Sequence, residues 1–99
     1  MTITQFENGD SLTLAVEGFI DSTTAPDFEK EMLAAGGKTK NLVVNFAKVD
    51  FISSAGLRVL LLSQKKMAAA AGKMTLVNVS EDVREVFELT GFVNVLDIA

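Results

Sequence analysis

Apolar and polar residues alternate from Thr2 to Glu7 and again from Ser11 to Glu17, the period of strands with one buried face. Asn8-Gly9 lies between the two runs and readily supplies the positive φ angles of a tight turn. The segment therefore reads as an antiparallel hairpin, with Leu12, Leu14 and Val16 facing the core. Gly18-Phe19-Ile20-Asp21 closes the second strand, and the period then changes. Thr24-Ala25-Pro26-Asp27 is a helix start: a capping Thr, a Pro in the first turn and an acid at the positive dipole end. Phe28, Met32 and Ala35 repeat at helical spacing until Gly36-Gly37. Asn41 to Phe46 is a short apolar run that suits a buried parallel strand, and Ala47 to Ser53 reads as a loop. A long helix is predicted from Ser54 to Ala71, with Gly72 placed to end it. Leu57, Leu60, Leu61, Gln64, Met67, Ala68 and Ala71 form its core-facing stripe. Met74 to Val77 is the next strand. Ser80 caps a short helix in which Val83, Val86 and Phe87 share a face, Thr90-Gly91 ends it, and Val93 to Leu96 is a last strand.

The order β-β-α-β-α-β-α-β implies an α/β fold: a mostly parallel sheet with helical crossovers and one N-terminal antiparallel hairpin strand. Ninety-nine residues suffice for one domain, and no repeat, linker or low-complexity tract divides them.

Composition removes several function classes. Histidine and cysteine are both absent, which excludes a Ser–His–Asp triad, thiol chemistry, disulfides and the usual zinc sites. The net charge is −4 with dispersed lysines, so no nucleic-acid footprint is expected. No apolar run approaches a membrane span and no export signal is visible at the N-terminus, so a cytoplasmic location is expected. No Gly-rich phosphate loop or other cofactor motif appears.

What chemistry remains sits at one junction. Ser53 and Ser54 precede the long helix, where a hydroxyl can cap the free N–H groups and where the helix dipole also favours a phosphate. Asp21 and the Asp50–Ser54 loop both follow strands, so if those strands are neighbours Asp21 lies near Ser54. The plainer reading is that Asp21 starts the turn before Thr24. Val59 and Leu62 fall off the core stripe beside Arg58 and Lys66. They read either as an outward docking patch or as residues covered by a neighbouring element.

Together these segments resemble the STAS domain of bacterial anti-sigma factor antagonists. The likeness runs through Gly18-Phe19-Ile20-Asp21, Thr24-Ala25-Pro26, Leu42 to Phe46, Phe51-Ile52-Ser53-Ser54-Ala55-Gly56-Leu57-Arg58-Val59-Leu60-Leu61 and Val83 to Phe92. It covers the whole chain, and it implies a single STAS domain over residues 1–99. In the family the phosphorylated serine lies two residues before the glycine that opens the long helix, which corresponds to Ser54 here. Ser53 stands where the family commonly has Asp, and Ala55 where it commonly has Ser or Thr, so Ser53 is a rival acceptor. The resemblance implies a partner switch. The unphosphorylated protein would bind an anti-sigma factor that is also a serine kinase and free its sigma factor. The kinase, using ATP and magnesium, would phosphorylate Ser54 and end binding, and a metal-dependent serine phosphatase would reset the cycle. Asp21, Ser53, Ser54, Arg58, Val59 and Leu62 are the expected partner-binding residues, and the chain is expected to be a substrate, not an enzyme. The alternative is a STAS interaction module of a transport or signalling complex, without phosphoryl transfer. A Ser54 nucleophile lacks any base at suitable spacing.

Overall fold

In the computed structural model, which describes residues 1–99, β1 (Thr2–Asn8) and β2 (Ser11–Ile20) form the antiparallel hairpin. Its two-residue loop is Gly9-Asp10, one position later than expected, and Gly9 takes φ +61° at the first central position. Ser11 Oγ donates to the Asn8 carbonyl across the turn at 2.9 Å. Helix α1 (Ala25–Gly36) then leads to β3 (Asn41–Ile52), α2 (Ser54–Ala69), β4 (Lys73–Val77) and α3 (Glu81–Thr90). The segment expected as a strand at Val93 to Leu96 instead contributes to a short 3-10 turn over Phe92–Asn94, and the last strand, β5, is Asp97–Ile98.

Strand order follows chain order, β1-β2-β3-β4-β5, with every pair after the hairpin parallel. Parallel crossovers are right-handed, so a sheet that winds steadily in one direction receives all its helices on the same face. Burial agrees. One cluster of 22 buried apolar residues takes Leu12, Leu14 and Val16 from β2, Leu42, Val44 and Phe46 from β3 and Met74 and Leu76 from β4. The same cluster takes Phe28 and Met32 from α1, Leu60 and Met67 from α2 and Val83 and Phe87 from α3. The Phe46 and Phe87 rings approach with centroids 6.5 Å apart. Residues of opposite parity, such as Thr13, Ala15, Val43 and Asn45, lie on the other face, which no helix covers. No helix is long and apolar enough to cross a membrane.

The largest departure from the expected elements is β3, which continues through the presumed loop to Ile52. Two register shifts against β2 explain it: Ala15 faces Asn45 but Glu17 faces Lys48, and Gly18 faces Val49 but Phe19 faces Phe51. Each inserts one extra residue in β3, and each such bulge resets which face the next side chain takes. Val49 and Ile52 consequently both point inward, three residues apart, a spacing that does not look like a strand.

Helix α2 ends at Ala69, two residues before the expected end. Ala71 adopts φ +57°, with Ala71 N–H donating to Ala68 O at 3.1 Å and Gly72 N–H to Met67 O at 2.7 Å, a Schellman ending built on alanine. Gly72 serves close approach instead: a Cβ there would lie 2.9 Å from Met67 Cε and 3.0 Å from the Lys40 carbonyl.

Candidate functional site

The loops after β2 and β3 meet because those strands are paired neighbours. Ser53 N–H donates to the Ile20 carbonyl at 2.8 Å, tying the start of α2 to the end of β2. Gly56 makes the approach possible. It is buried, and a Cβ there would stand 2.6 Å from Ile20 Cγ2 and 2.8 Å from Ile52 Cγ1. The residue is a glycine for want of space, so the first turn of α2 can rest directly on the two strand ends.

The two serines are used differently. Ser53 is the N-cap, with extended φ −92° and ψ 174°, and its Oγ accepts from Gly56 N–H at 3.4 Å. It is half-buried. Ser54 is the first helical residue, exposed, and no hydrogen bond within the chain engages its hydroxyl. Arg58 is also exposed and lies four residues further on, so it neighbours Ser54 on the helix surface. A negative group on Ser54 would therefore meet the positive end of α2 and a guanidinium one turn away.

Asp21 lies in the adjoining loop, as neighbouring strands require, but its carboxylate is already employed. Its Oδ1 accepts from Thr23 N–H at 2.9 Å and Thr24 N–H at 3.1 Å, while its own N–H donates to Thr24 Oγ1 at 2.9 Å. The Thr24 hydroxyl in turn donates to the Phe19 carbonyl at 2.9 Å. Thr24 is the N-cap residue of α1 yet makes no side-chain cap bond, because this turn holds its hydroxyl. The plainer reading of Asp21, a turn-former, is thus what its contacts describe, and no group of three or more acids gathers around it in a metal-holding arrangement.

The proposed outward patch on α2 needs correction. Val59 is 1% exposed and belongs to the core, while Leu62 is half-buried. The buried stripe is Gly56, Leu57, Val59, Leu60, Ser63 and Met67, rotated from the expected one toward α1. The physical reason is that α2 is covered on two sides, by the sheet and by α1. Leu61 and Gln64 are only half-buried, and Ala68 and Ala71 are exposed. Ser63, which the pattern marks as outward, is 2% exposed and its hydroxyl has no partner. Between the first turns of α1 and α2 runs a shallow groove of about 260 Å³, bordered by Ser22, Pro26, Glu29, Ala55, Arg58 and Val59. The largest hollow, about 600 Å³, lies at the far end of the sheet beside the hairpin turn and contains none of these residues.

Sequence reasoning passed over two residues at this edge. Phe19 and Phe51 are 58% and 49% exposed, directly opposite each other in the β2–β3 register, with ring centroids 6.4 Å apart at 75°. The two register shifts together bring Phe51 opposite Phe19, where unbroken pairing would bring Val49, and a reading of one strand at a time cannot reveal it.

The family model of the STAS domain matches residues 3–99. The chain is 34% identical over 100 residues to BtrV of Bordetella bronchiseptica, whose name marks it as a proposed anti-sigma factor antagonist; the match spans 100% of this chain and 86% of that protein. A crystal structure of an anti-sigma factor antagonist from Mycobacterium paratuberculosis is similar with a TM-score of 0.88 at 26% identity, over 98% of this chain and 83% of that one. The phosphorylated form of the Bacillus cell fate determinant SpoIIAA shares the fold, with a TM-score of 0.75 at 21% identity over 99% and 91% of the two chains.

Proposed function

The chain belongs to the STAS domain family, and on that premise we propose that it is an anti-sigma factor antagonist operated by a phosphorylation-controlled partner switch. The unphosphorylated protein binds an anti-sigma factor that is also a serine kinase, and so releases the sigma factor. The kinase transfers the γ-phosphoryl group of ATP, with magnesium, to Ser54 Oγ; the hydroxyl proton leaves to a base of the kinase and ADP departs. The new charge, about −1.5 to −2, makes the contact surface too costly to desolvate against the same partner. A metal-dependent serine phosphatase hydrolyses the ester and restores binding. Residues 1–99 act as one such domain in the ATP-containing cytoplasm, as a substrate of this chemistry and not its catalyst.

The observation that carries the reading is the difference between the two serines. Ser53 accepts from the Gly56 N–H as the helix cap, whereas Ser54 is exposed with its hydroxyl unengaged. With Ser54, the remaining contact residues of this reading are Asp21, Ser53, Arg58 and Leu62; Val59 is withdrawn from that set because it is buried.

Phosphopeptide mapping of protein purified from its native cells, with a Ser54→Ala strain alongside, tests this. The expected result is phosphate on Ser54 that disappears in the variant. Phosphate on Ser53 would move the acceptor by one residue. None under any growth condition would favour an interaction module of a transport or signalling complex without phosphoryl transfer.

A further inference from the structure

We propose that Phe19 and Phe51 form the aromatic anchor by which the Ser54 kinase holds this protein. The inference rests on Ser54 being the acceptor. The rings stand on the face of the sheet that no helix covers, at the end of β2 and β3 from which α2 departs. Each leaves about half of its surface to solvent, although the two pack edge to face. Together they expose roughly 200 Å² of aromatic surface at one spot.

Proximity to Ser54 names the occupant. Phe51 is three residues before Ser54, so their Cα atoms are at most about 11 Å apart. An enzyme that brings a phosphoryl donor to Ser54 must cover the surface around it. A stable interface takes about 800 Å² from each partner, a disc of about 16 Å radius, which reaches past Phe51 and its ring partner. Glu17 and Lys48, opposite each other in the same register, and exposed Asp50 edge the pair with charge, the arrangement of an apolar centre with a polar rim. Exposed aromatics near the centre of such a disc carry a large share of binding energy. The competing explanation is a cross-strand pair that only stabilises the sheet. That role would appear in thermal stability and leave phosphorylation untouched.

The two register shifts of β3 decide which residues meet at this end of the sheet. Continued without shifts from the Ala15–Asn45 pair, the register would set Val49 opposite Phe19 and Asp50 opposite Ile20. The two extra residues instead put Phe51 beside Phe19 on the open face and Ile52 beside Ile20 in the core.

The test is the fraction of Ser54 carrying phosphate, measured by intact mass and peptide mapping in the native cells. Wild type is compared with Phe19→Thr and Phe51→Thr, which keep a strand-forming residue, and with Phe19→Tyr and Phe51→Tyr, which keep the ring. Phe6→Thr is the control, since Phe6 is 53% exposed at the opposite end of the same face. Thermal melts of each variant confirm folding. The Thr variants are expected to lose at least tenfold in phosphate fraction, while the Tyr variants and Phe6→Thr stay near wild type. Wild-type phosphate levels in folded Phe19→Thr and Phe51→Thr would overturn the anchor and leave Ser54 as acceptor. A wild type without phosphate on Ser54 would instead remove the acceptor, and the anchor with it.

Discussion

At the N-terminus of α2 the cap bond from Gly56 N–H to Ser53 Oγ is 3.4 Å, at the long end of hydrogen-bond geometry. Ser53→Ala should accordingly cost about 0.5–1 kcal/mol, the lower part of the range for lost caps. Ser54→Ala removes an exposed hydroxyl with no intrachain partner and should stay within about 0.5 kcal/mol of wild type. Urea midpoints of the two variants check this, and a reversed order would mean that Ser54 holds the helix. The same geometry bears on what phosphate does. A dianion on Ser54 would sit at the positive end of α2 with Arg58 one turn away, so the fold would tolerate it and its effect would fall on a partner's surface.

For α2 as an element, the residues from Leu57 to Leu62 are all apolar except Arg58, so composition alone leaves the buried direction open. Packing against α1 decides it, drawing in Val59 and Ser63. A substitution aimed at a docking patch there would strike the core. Val59→Asp puts a carboxylate where the side chain is 1% exposed, and a loss of about 3 kcal/mol or more is expected. It should appear as a much lower melting temperature or an unfolded circular dichroism spectrum; a cooperative melt at the wild-type temperature would contradict the burial of this position. The helix stop has a similar lesson. Either Ala71 or Gly72 could have taken the left-handed position, and the approach of Gly72 to the Lys40 carbonyl reserves the glycine for space.

Across the whole molecule, a sheet wound in one direction collects α1, α2 and α3 on one face and leaves the other open. The Ser53-Ser54 junction, the Asp21 turn and the aromatic pair all lie where β2 and β3 end, and Gly56 is the joint between those ends and α2. Gly56→Ala drives a methyl into Ile20 and Ile52, and about 1–3 kcal/mol of destabilisation is expected from overpacking. The expected readout is a lower urea midpoint at unchanged m-value, and a variant as stable as wild type would show that the joint has slack.

The hairpin, the three helices, the parallel order and the Ser53-Ser54 junction were legible in the chain because each rests on local chemistry: alternation, caps, turn residues and the run of apolar residues between them. Other features were not legible. The length of β3, the pairing of Phe19 with Phe51, the burial of Val59 and the choice of Ser53 as cap each depend on a neighbour distant in sequence. A bulge is defined only against the paired strand, and a helix with apolar residues on several sides acquires its inner face only when another helix closes over it. The first turn of α2 rests on Ile20 and Ile52, so the difference between its two serines is a product of tertiary contact as much as of their positions before Gly56.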